Sequence, residues 1–361
     1  MLAIGLMSGT SRDGIDAALI ETDGDRRVEA VAFHALSYDD GFRTRLAEAC
    51  ARAMAMAAPG FEPLIGAVET ELTERHVDAV ADLLGRSGHI AGDVGVIGFH
   101  GHTVAHRPER GWTWQIGDAA ALAGAFGIPV VGDLRGADVI AGGQGAPLLP
   151  VYHRALAVDL PKPAAVLNLG GVANITFIGS DGTLIAFDTG MASGLIDNWM
   201  WTHGGLAFDE GGATAARGRP DEGRLATMMA DPWFAAPPPK SIDREAFSIA
   251  ATQGMSLEDG AATLTAFTAA AVARAIDHLP ERPTHIHVAG GGRHNAALMA
   301  MIAERTGLAV EPVDGLGWNG DAIEAQGFAY MAVRHLNGLP ISFPGTTGVP
   351  APMTGGVLFR A

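Results

Sequence analysis

Cysteine is nearly absent from this chain of 361 residues, because Cys50 is its single example. An internal disulfide is therefore excluded, and so are zinc sites built on paired cysteines. Cys50 lies in a helical apolar context, which favours a buried, inert thiol over a nucleophile. The 13 histidines come without cysteine pairs, so we expect no zinc.

Charged side chains are also few, at 18% of the residues, and the acidic ones prevail, 40 to 24, for a formal net charge of −16. This balance argues against nucleic acid as a partner, because phosphate backbones are bound through a surplus of Lys and Arg. No apolar run reaches the roughly eighteen residues of a membrane span, and no basic leader precedes the first strand. We therefore expect no membrane partner and a cytoplasmic location. The length and the 48% of hydrophobic residues suit two globular domains.

What the chain does have is a glycine-rich turn near its start, between the apolar runs Leu2–Met7 and Ile15–Ile20. Gly9 allows close approach of an anion, while Thr10, Ser11 and the local N–H groups can donate to phosphate oxygens. The turn fits neither the P-loop pattern nor the dinucleotide-binding pattern. A polar hairpin tip is the alternative reading. Two further glycine-rich turns, in 168–176 and 287–295, follow strand-like runs and favour phosphate binding.

Hydrophobic periodicity predicts a parallel-sheet architecture in the first half, and in the second half consecutive antiparallel strands that match the opening of the first, so we expect a duplicated fold. The first half contains three predicted strands, Leu2–Met7, Ile15–Thr22 and Val28–Leu36, and then two predicted helices, Phe42–Met56 and Leu64–Leu84. The run Val94–His100 follows and is predicted to be a buried central strand whose carboxyl end faces a site. The second half repeats the opening with the strands Ala164–Asn168, Ile175–Ile178 and Thr183–Phe187. The irregular stretch Asp133–Pro147 predicts the crossing between domains. We expect domain I at residues 1–132 plus about 340–361, and domain II at 133–339.

The ordered motifs resemble the anhydro-N-acetylmuramic acid kinase family of the actin, Hsp70 and hexokinase-like superfamily. They are Gly5–Ser11 with Asp13–Asp16, Phe99–Val104, Gln115–Asp118, Gly142–Pro147, Asn168–Gly171 with Ala173–Thr176, Phe187–Gly190, Gly290–Asn295, Asp321 with Glu324, and Thr346–Gly348. The resemblance implies a two-domain actin-like ATPase fold, a ribonuclease H-like duplicated βββαβαβα, with an interdomain active-site cleft. It also implies transfer of phosphate from ATP to the 6-hydroxyl of 1,6-anhydro-N-acetylmuramic acid, while water opens the anhydro bridge. A homodimer is implied by the resemblance alone.

Asp188 is the candidate general base, because a carboxylate must take a proton from the attacking water. A strand-end Asp can also cap the following turn, and the resemblance favours catalysis. The resemblance assigns nucleotide-binding residues to three turns: Gly9, Thr10, Ser11, Asp13, Gly14 and Asp16; Asn168, Gly170 and Gly171; and Gly290, Gly291, Gly292 and Asn295. Mg²⁺ has Asp13, Asp16 and Asp188 as candidate ligands.

The predicted sugar-binding residues are His100 and His102 at a strand end, Arg135 in the crossing loop, and Glu324 on the last long helix. Arg135 suits the lactyl carboxylate, since a guanidinium binds a carboxylate in a forked geometry. The chain departs from the family pattern in two places, with His102 for the usual Gln, and with Met191–Ser193 for the usual Pro-Gly-Asn. The superfamily's metal-binding Asp on the first strand is also absent.

Two rival functions follow from the same residues. One is a kinase of another amino sugar, and the residues at positions 102 and 191–193 would determine which sugar is accepted. The other is a nucleotide-dependent sensor ATPase that phosphorylates no sugar. A base aimed at an acceptor argues against the sensor, and sugar-dependent ATP turnover distinguishes the two.

Overall fold

The computed structural model describes residues 1–242 and 246–361 and divides into two compact units. The first unit contains Met1–Val158 and Ala322–Ala361, and the second contains Asp159–Asp321. Each unit is built on a mixed β-sheet with helices, as the sequence predicts.

The strands and helices are numbered here in chain order. The strands are β1 (Leu2–Ser8), β2 (Gly14–Thr22), β3 (Val28–Ser37), β4 (Val94–Arg107), β5 (Trp112–Ile116), β6 (Val130–Gly132), β7 (Ala164–Leu169), β8 (Val172–Ile178), β9 (Leu184–Met191), β10 (His285–Ala289), β11 (Ala309–Pro312) and β12 (Val357–Phe359). The helices are α1 (Asp40–Ala55), α2 (Pro63–Ser87), α3 (Ala119–Phe126), α4 (Gly136–Ile140), α5 (Pro150–Leu156), α6 (Ser193–Gly204), α7 (Glu222–Met229), α8 (Leu257–Ile276), α9 (Ala296–Thr306), α10 (Ile323–Leu336) and α11 (Pro344–Thr347).

The two sheets share a topology. In the first unit the strand order is β12-β6-β4-β1-β2-β3, with β5 paired to β4, and in the second it is β11-β10-β7-β8-β9. In each, three antiparallel strands (β1 to β3, β7 to β9) are followed by a strand parallel to the first of them (β4, β10). This repetition confirms the predicted duplication, and it places a glycine-rich turn at the same point of each unit.

Helix α10 packs closely on the first sheet, because two strands carry glycine where it crosses them. A Cβ atom on Gly5 of β1 would overlap with the carbonyl oxygen of Ala325, and one on Gly98 of β4 would overlap with that of Phe328. The contact buries most of the helix, including Phe328 and Tyr330. Backbone-to-backbone packing of this kind fixes β1 and the middle of β4, where His100 and His102 lie.

The local start and stop signals of the helices act as expected. Asp118 caps α3 by accepting from the N–H groups of Ala120 and Ala121, and α2 ends at Gly88 in the left-handed conformation. The C-terminal segment extends over the first unit as predicted, and β12 pairs antiparallel with β6. Among the described residues, no helix is both long and apolar enough to cross a membrane.

The division between the units differs from the predicted one. We predicted that the chain leaves the first domain after residue 132 and returns near 340, whereas it leaves the first unit after Val158 and returns after Asp321. The stretch 133–158 belongs to the first unit because it is bonded there: Arg135 donates to His100, and Thr347 donates to the buried Asp138. Helix α10 belongs to the same unit through its packing on β1. The irregular glycine-rich stretch is therefore a loop within the first unit.

Candidate active site

The first glycine-rich turn connects β1 and β2 and exposes its polar side chains. The N–H of Arg12 donates to the carbonyl of Gly9 at 3.0 Å, and the Ser11 hydroxyl donates to Asp13 Oδ1 at 2.7 Å. Thr10, Ser11 and Asp13 are exposed, whereas Asp16 is half-buried on β2 opposite Met7. Gly14 is required by packing, since a Cβ there would overlap with the carbonyl oxygen of Leu36. The turn thus exposes two hydroxyls and the carboxylate of Asp13, with Asp16 three residues further along on β2.

The second turn, Gly170–Gly171 between β7 and β8, is held by the segment that follows β9. The N–H groups of Ala192 and Ser193 donate to the carbonyls of Gly171 and Gly170, each at 3.0 Å. These contacts use only backbone atoms, which the family's usual glycine and asparagine would also supply. The departure at Met191–Ser193 therefore leaves this support of the glycine-rich turn in place.

The third turn, Gly290–Asn295, lies directly against the second. A Cβ on Gly290, whose φ is +77°, would come within 2.5 Å of Asn168 Oδ1, and one on Gly292 within 2.6 Å of Leu169 Cβ. Gly291 has open space around its Cα. The predicted nucleotide residues of the second unit are therefore brought together. Asn295, however, is the N-cap of α9, with its Oδ1 accepting from the Leu298 N–H at 2.9 Å.

Arg293 fixes the third turn, and sequence reasoning missed it. Its buried guanidinium donates to Asp314 Oδ2 and to Asp321 Oδ1, each at 2.8 Å, and to the carbonyl of Gly290 at 3.1 Å. A planar guanidinium with several donors can join three segments in this way. The sequence could have identified Arg293 as a site residue by its position within the Gly290–Asn295 motif.

Asp188 lies half-buried near the end of β9, next to a β-bulge at Thr189. Its N–H donates to the carbonyl of Lys240 at 3.0 Å, and its Oδ2 accepts from the N–H of Ile242 at 2.9 Å. Burial raises the pKa of Asp188 to about 7, and the Ile242 N–H acts against that rise. A carboxyl group with this pKa can accept and release a proton near neutral pH.

His100 and Arg135 form a joined pair in the first unit. The Arg135 Nε–H donates to His100 Nε2 at 2.9 Å, and His100 Nδ1 lies 2.9 Å from the Gly101 carbonyl, to which it donates. A carbonyl can only accept, so the imidazole is neutral with its proton on Nδ1. Burial and Arg135 hold the pKa of His100 well below its usual range. Both ring nitrogens are engaged, so His100 orients Arg135.

Arg135 is held on a second side by the Gly142–Pro147 loop. Its Nη1 donates to the Gly145 carbonyl at 2.7 Å, and the buried Asp138 fixes that loop by accepting from the Gly145 N–H and the Thr347 hydroxyl, each at 2.6 Å. Burial lowers the pKa of Arg135 to about 10, partly offset by the carboxylates of Glu324 and Asp138. The structure therefore brings His100, Arg135 and Glu324 together. Sequence reasoning missed Asp138.

A pocket of about 450 Å³ opens beside His100 in the first unit. Its lining includes His100, Glu69, Gln115, Asp118 and Asp133. Asp133 directly follows β6 and has a φ of +46°, a strained backbone that is often found at functional sites. Burial raises the pKa of its carboxyl group. The strand-end position was the signal by which the sequence could have singled out Asp133.

His102 has a different environment from His100. It is buried between Ser8 Oγ, 2.9 Å from its Nδ1, and Cys50 Sγ, 3.7 Å from its Nε2. Burial lowers the pKa of His102 to about 4, so the ring is neutral. Ser8 also bonds the Tyr38 hydroxyl at 2.7 Å. Both ring nitrogens of His102 are thus in contact with protein groups beside the end of β1, and the ring lies near enough to His100 to help lower the pKa of that residue.

The candidate metal ligands are spread over both units, with Asp13 and Asp16 in the first and Asp188 in the second. Within residues 1–242 and 246–361, no group of three or more His, Cys, Asp or Glu side chains is placed to hold a metal ion. The donors at the first turn, two carboxylates and several hydroxyls, nevertheless suit Mg²⁺, a cation that keeps part of its water shell.

The comparison with solved structures concerns the fold. Component A of (R)-2-hydroxyglutaryl-CoA dehydratase from Acidaminococcus fermentans matches with a TM-score of 0.51 and 12% sequence identity, over 92% of this chain and 98% of that one. Together with the duplicated sheets, this likeness defines the class by its fold: a two-domain α/β protein with the actin-like fold.

The sequence comparisons are more specific. A family model described as anhydro-N-acetylmuramic acid kinase matches residues 1–361. Relatives with that name share 61% identity in Rhizorhabdus wittichii, over 100% of this chain and 99% of theirs, and 54% in Zymomonas mobilis, over 99% of each. The chain therefore belongs to the anhydro-N-acetylmuramic acid kinase family.

Proposed function

We propose that this chain phosphorylates O6 of 1,6-anhydro-N-acetylmuramic acid with ATP and hydrolyses the anhydro bond in the same reaction, in the recycling of cell-wall peptidoglycan. The products are N-acetylmuramic acid 6-phosphate and ADP. The full-length family match supports the substrate and the phosphoryl transfer. The observation that carries the mechanism is Asp188, a half-buried carboxyl group on β9 that accepts from the Ile242 N–H and has a pKa raised to about 7.

Asp188 acts as the general base in this proposal. It takes a proton from a water molecule whose oxygen forms a bond to C1 of the sugar. The C1–O6 bond breaks, and O6 keeps the electron pair with which it attacks the γ-phosphorus as ADP leaves. One proton transfer therefore serves both hydrolysis and phosphorylation, and the remaining catalysis is positioning of the phosphates.

In this proposal the sugar binds in the first unit beside His100, which lines the pocket, and its lactyl carboxylate pairs with Arg135, the hydrogen-bond partner of His100. Support comes from the fixed orientation of Arg135, which His100 and the Gly145 carbonyl hold at Nε and Nη1. Its remaining N–H donors suit a planar carboxylate. Glu324, whose carboxylate is close enough to raise the pKa of Arg135, completes the polar group.

The phosphates of ATP bind at the three glycine-rich turns in this proposal, and Asp13 and Asp16 hold Mg²⁺ directly or through water. Bound there, Mg²⁺ supplies positive charge to the phosphate oxygens. We reserve Asp188 for proton transfer, because a bound cation would lower its pKa and weaken it as a base. A homodimer is proposed on the family resemblance, and a cytoplasmic location on the lack of a membrane-length apolar run in the sequence.

Sugar-dependent ADP release in H₂¹⁸O tests the proposal. We expect ATP turnover to require 1,6-anhydro-N-acetylmuramic acid and to yield a phosphosugar that carries one ¹⁸O from solvent. ADP release at the same rate without sugar would favour the sensor ATPase. Phosphorylation of another amino sugar in preference would favour the different acceptor.

A further inference from the structure

We propose that the segment Lys240–Ile242, called here the 240–242 segment, positions the carboxylate of Asp188 for proton transfer through the backbone N–H of Ile242. This inference rests on the role of Asp188 proposed above. The segment bonds to Asp188 twice: the Asp188 N–H donates to the Lys240 carbonyl at 3.0 Å, and the Ile242 N–H donates to Oδ2 at 2.9 Å.

The second of these bonds acts on the reacting group itself. A carboxylate on a free side chain rotates about its Cβ–Cγ bond, whereas a hydrogen bond from a fixed N–H donor holds one oxygen in place. Oδ2 is that oxygen, so Oδ1 takes a defined direction relative to β9. Hydrogen bonds to ionised acceptors are among the stronger ones in proteins, and misplacement by about 1 Å can cost roughly a hundredfold in rate.

The 240–242 segment is itself anchored by the preceding turn, Pro232–Ala235. Lys240 Nζ donates to the carbonyls of Trp233 and Phe234, at 3.0 and 3.3 Å, and lies 4.3 Å from the centre of the Trp233 ring. The Trp233 indole N–H donates in turn to the Ser241 carbonyl at 3.2 Å. The ammonium group and the indole together therefore fix the backbone that carries the Ile242 N–H.

The anchor continues into the core of the second unit. Phe234 is 2% exposed and packs edge-to-face on Phe267 of α8, with 5.6 Å between ring centres. A continuous set of contacts thus runs from α8 through Phe234 and Lys240 to the Ile242 N–H. Lys240 is one of only two lysines in the chain, beside Lys162, and it is a positioning residue, because its ammonium acts on Asp188 only through the backbone.

Removal of the N–H tests the inference directly. Ile242→Pro deletes the donor, and Ile242→Val keeps it with a similar side chain. We expect Ile242→Pro to lower kcat by roughly ten- to a hundredfold, with KM for sugar and for ATP within about twofold. Ile242→Val should recover most of the wild-type kcat. Equal losses in both variants, or a change confined to KM, would overturn the inference.

Lys240 provides a second route if Ile242→Pro does not fold. Lys240→Met removes the charge and the donors at nearly constant length, whereas Lys240→Arg keeps both. We expect Lys240→Met to lower kcat about three- to tenfold at unchanged KM, by the same loss of positioning, and Lys240→Arg to restore part of it. A Lys240→Met variant that is folded and has the wild-type kcat contradicts the anchoring role.

A double-mutant cycle with Asp188→Asn separates this inference from the proposed function. If the 240–242 segment acts through Asp188, then Ile242→Pro adds little to the loss in Asp188→Asn. A full additional loss means that the segment acts elsewhere, which overturns the inference. If Asp188→Asn alone keeps the wild-type rate, the proposed role of Asp188 fails instead.

Discussion

Burial gives individual side chains of this site properties that their residue types do not have in water. Asp188 has its pKa raised to about 7, and His100 is fixed as the neutral tautomer that accepts from Arg135. Each change follows from loss of solvent together with one or two defined hydrogen bonds. Residue-scale predictions therefore concern protonation and geometry.

The raised pKa of Asp188 makes the stability of the second unit depend on pH. Below about pH 4 the group is protonated in both the folded and the unfolded chain, and between about pH 4 and 7 only the folded chain keeps the proton. Folding stability from this group is therefore lost as pH rises through that window, by at most about 4 kcal/mol. Asp188→Asn should remove this loss.

Urea unfolding of the wild type and Asp188→Asn at pH 5 and pH 8 measures the effect. We expect the free energy of unfolding of the wild type to fall by roughly 2 to 3 kcal/mol more than that of Asp188→Asn between these two pH values. Parallel changes in both proteins would show that the pKa of Asp188 is close to that of a solvated carboxyl group.

Replacement of Arg135 by lysine keeps the positive charge, yet it should weaken binding of the sugar. Arg135→Lys loses the Nε–H bond to His100 and the forked geometry toward a carboxylate. We expect KM for the anhydro sugar to rise roughly tenfold or more, with KM for ATP little changed. Steady-state kinetics with each substrate varied in turn provides the test, and an unchanged KM for sugar would place Arg135 outside the sugar site.

The sequence can indicate a functional side chain, but it cannot indicate a functional backbone group. Asp188 is visible as a strand-end carboxylate before Thr-Gly, and Arg135 as a basic residue in a glycine-rich loop. Ile242 is not visible, because its contribution is a backbone N–H that every residue except proline carries. The partners of His102 are not visible in the sequence either, because they depend on the irregular register between β1 and β4, which sets His102 opposite Ser8.

At the scale of elements, glycine sets how closely backbones approach one another. The third glycine-rich turn lies on Leu169 at the end of β7, and helix α10 lies on Gly5 and Gly98. Both arrangements depend on the absence of a Cβ atom. Single alanine substitutions therefore test them, and the chain offers a matched control for each.

The third turn should lose nucleotide affinity when it is displaced. In Gly292→Ala the new Cβ would come within 2.6 Å of Leu169 Cβ, so the turn must shift, whereas Gly291→Ala meets nothing within 4 Å. We expect KM for ATP to rise roughly tenfold in Gly292→Ala and much less in Gly291→Ala, because an imperfectly placed phosphate-binding turn loses hydrogen bonds. Equal effects of the two substitutions contradict this account of the turn.

The close packing of α10 on the first sheet should contribute to the free energy of unfolding. Gly5→Ala places a Cβ against the Ala325 carbonyl, and we expect a loss of about 1 to 3 kcal/mol, or more if the helix cannot move. Gly66→Ala, within α2 and with nothing within 4 Å, should instead stabilise by about 0.5 to 1 kcal/mol. Denaturant unfolding of both variants tests the pair, and a neutral Gly5→Ala argues against the close approach.

Most elements were predictable from periodicity and caps, while their ends and partners were not. The pattern that predicted a strand over Val94–His100 continues as β4 to Arg107, because the second half of β4 pairs with β5. Such pairing depends on a hairpin that alternation alone does not reveal. The domain boundary was misplaced for a similar reason, since hydrogen bonds to Asp138 and Arg135 hold a loop-like sequence in the first unit.

At the scale of the whole molecule, the duplicated architecture gives each unit one part of the chemistry. The first unit carries one glycine-rich turn, the pocket and Arg135, and the second carries the other two glycine-rich turns and Asp188. The sequence predicts this division because the strand–turn–strand pattern occurs twice. The proposed reaction needs both contributions, since one proton transfer at Asp188 is coupled to phosphoryl transfer from ATP.

The most direct test of that coupling is ADP release with Mg·ATP by the wild type and Asp188→Asn, with and without 1,6-anhydro-N-acetylmuramic acid, together with the mass of the product. We predict sugar-dependent turnover that yields a phosphosugar with one added water and that falls by roughly a hundredfold or more in Asp188→Asn. Turnover that ignores the sugar, or that persists in Asp188→Asn, would contradict the account.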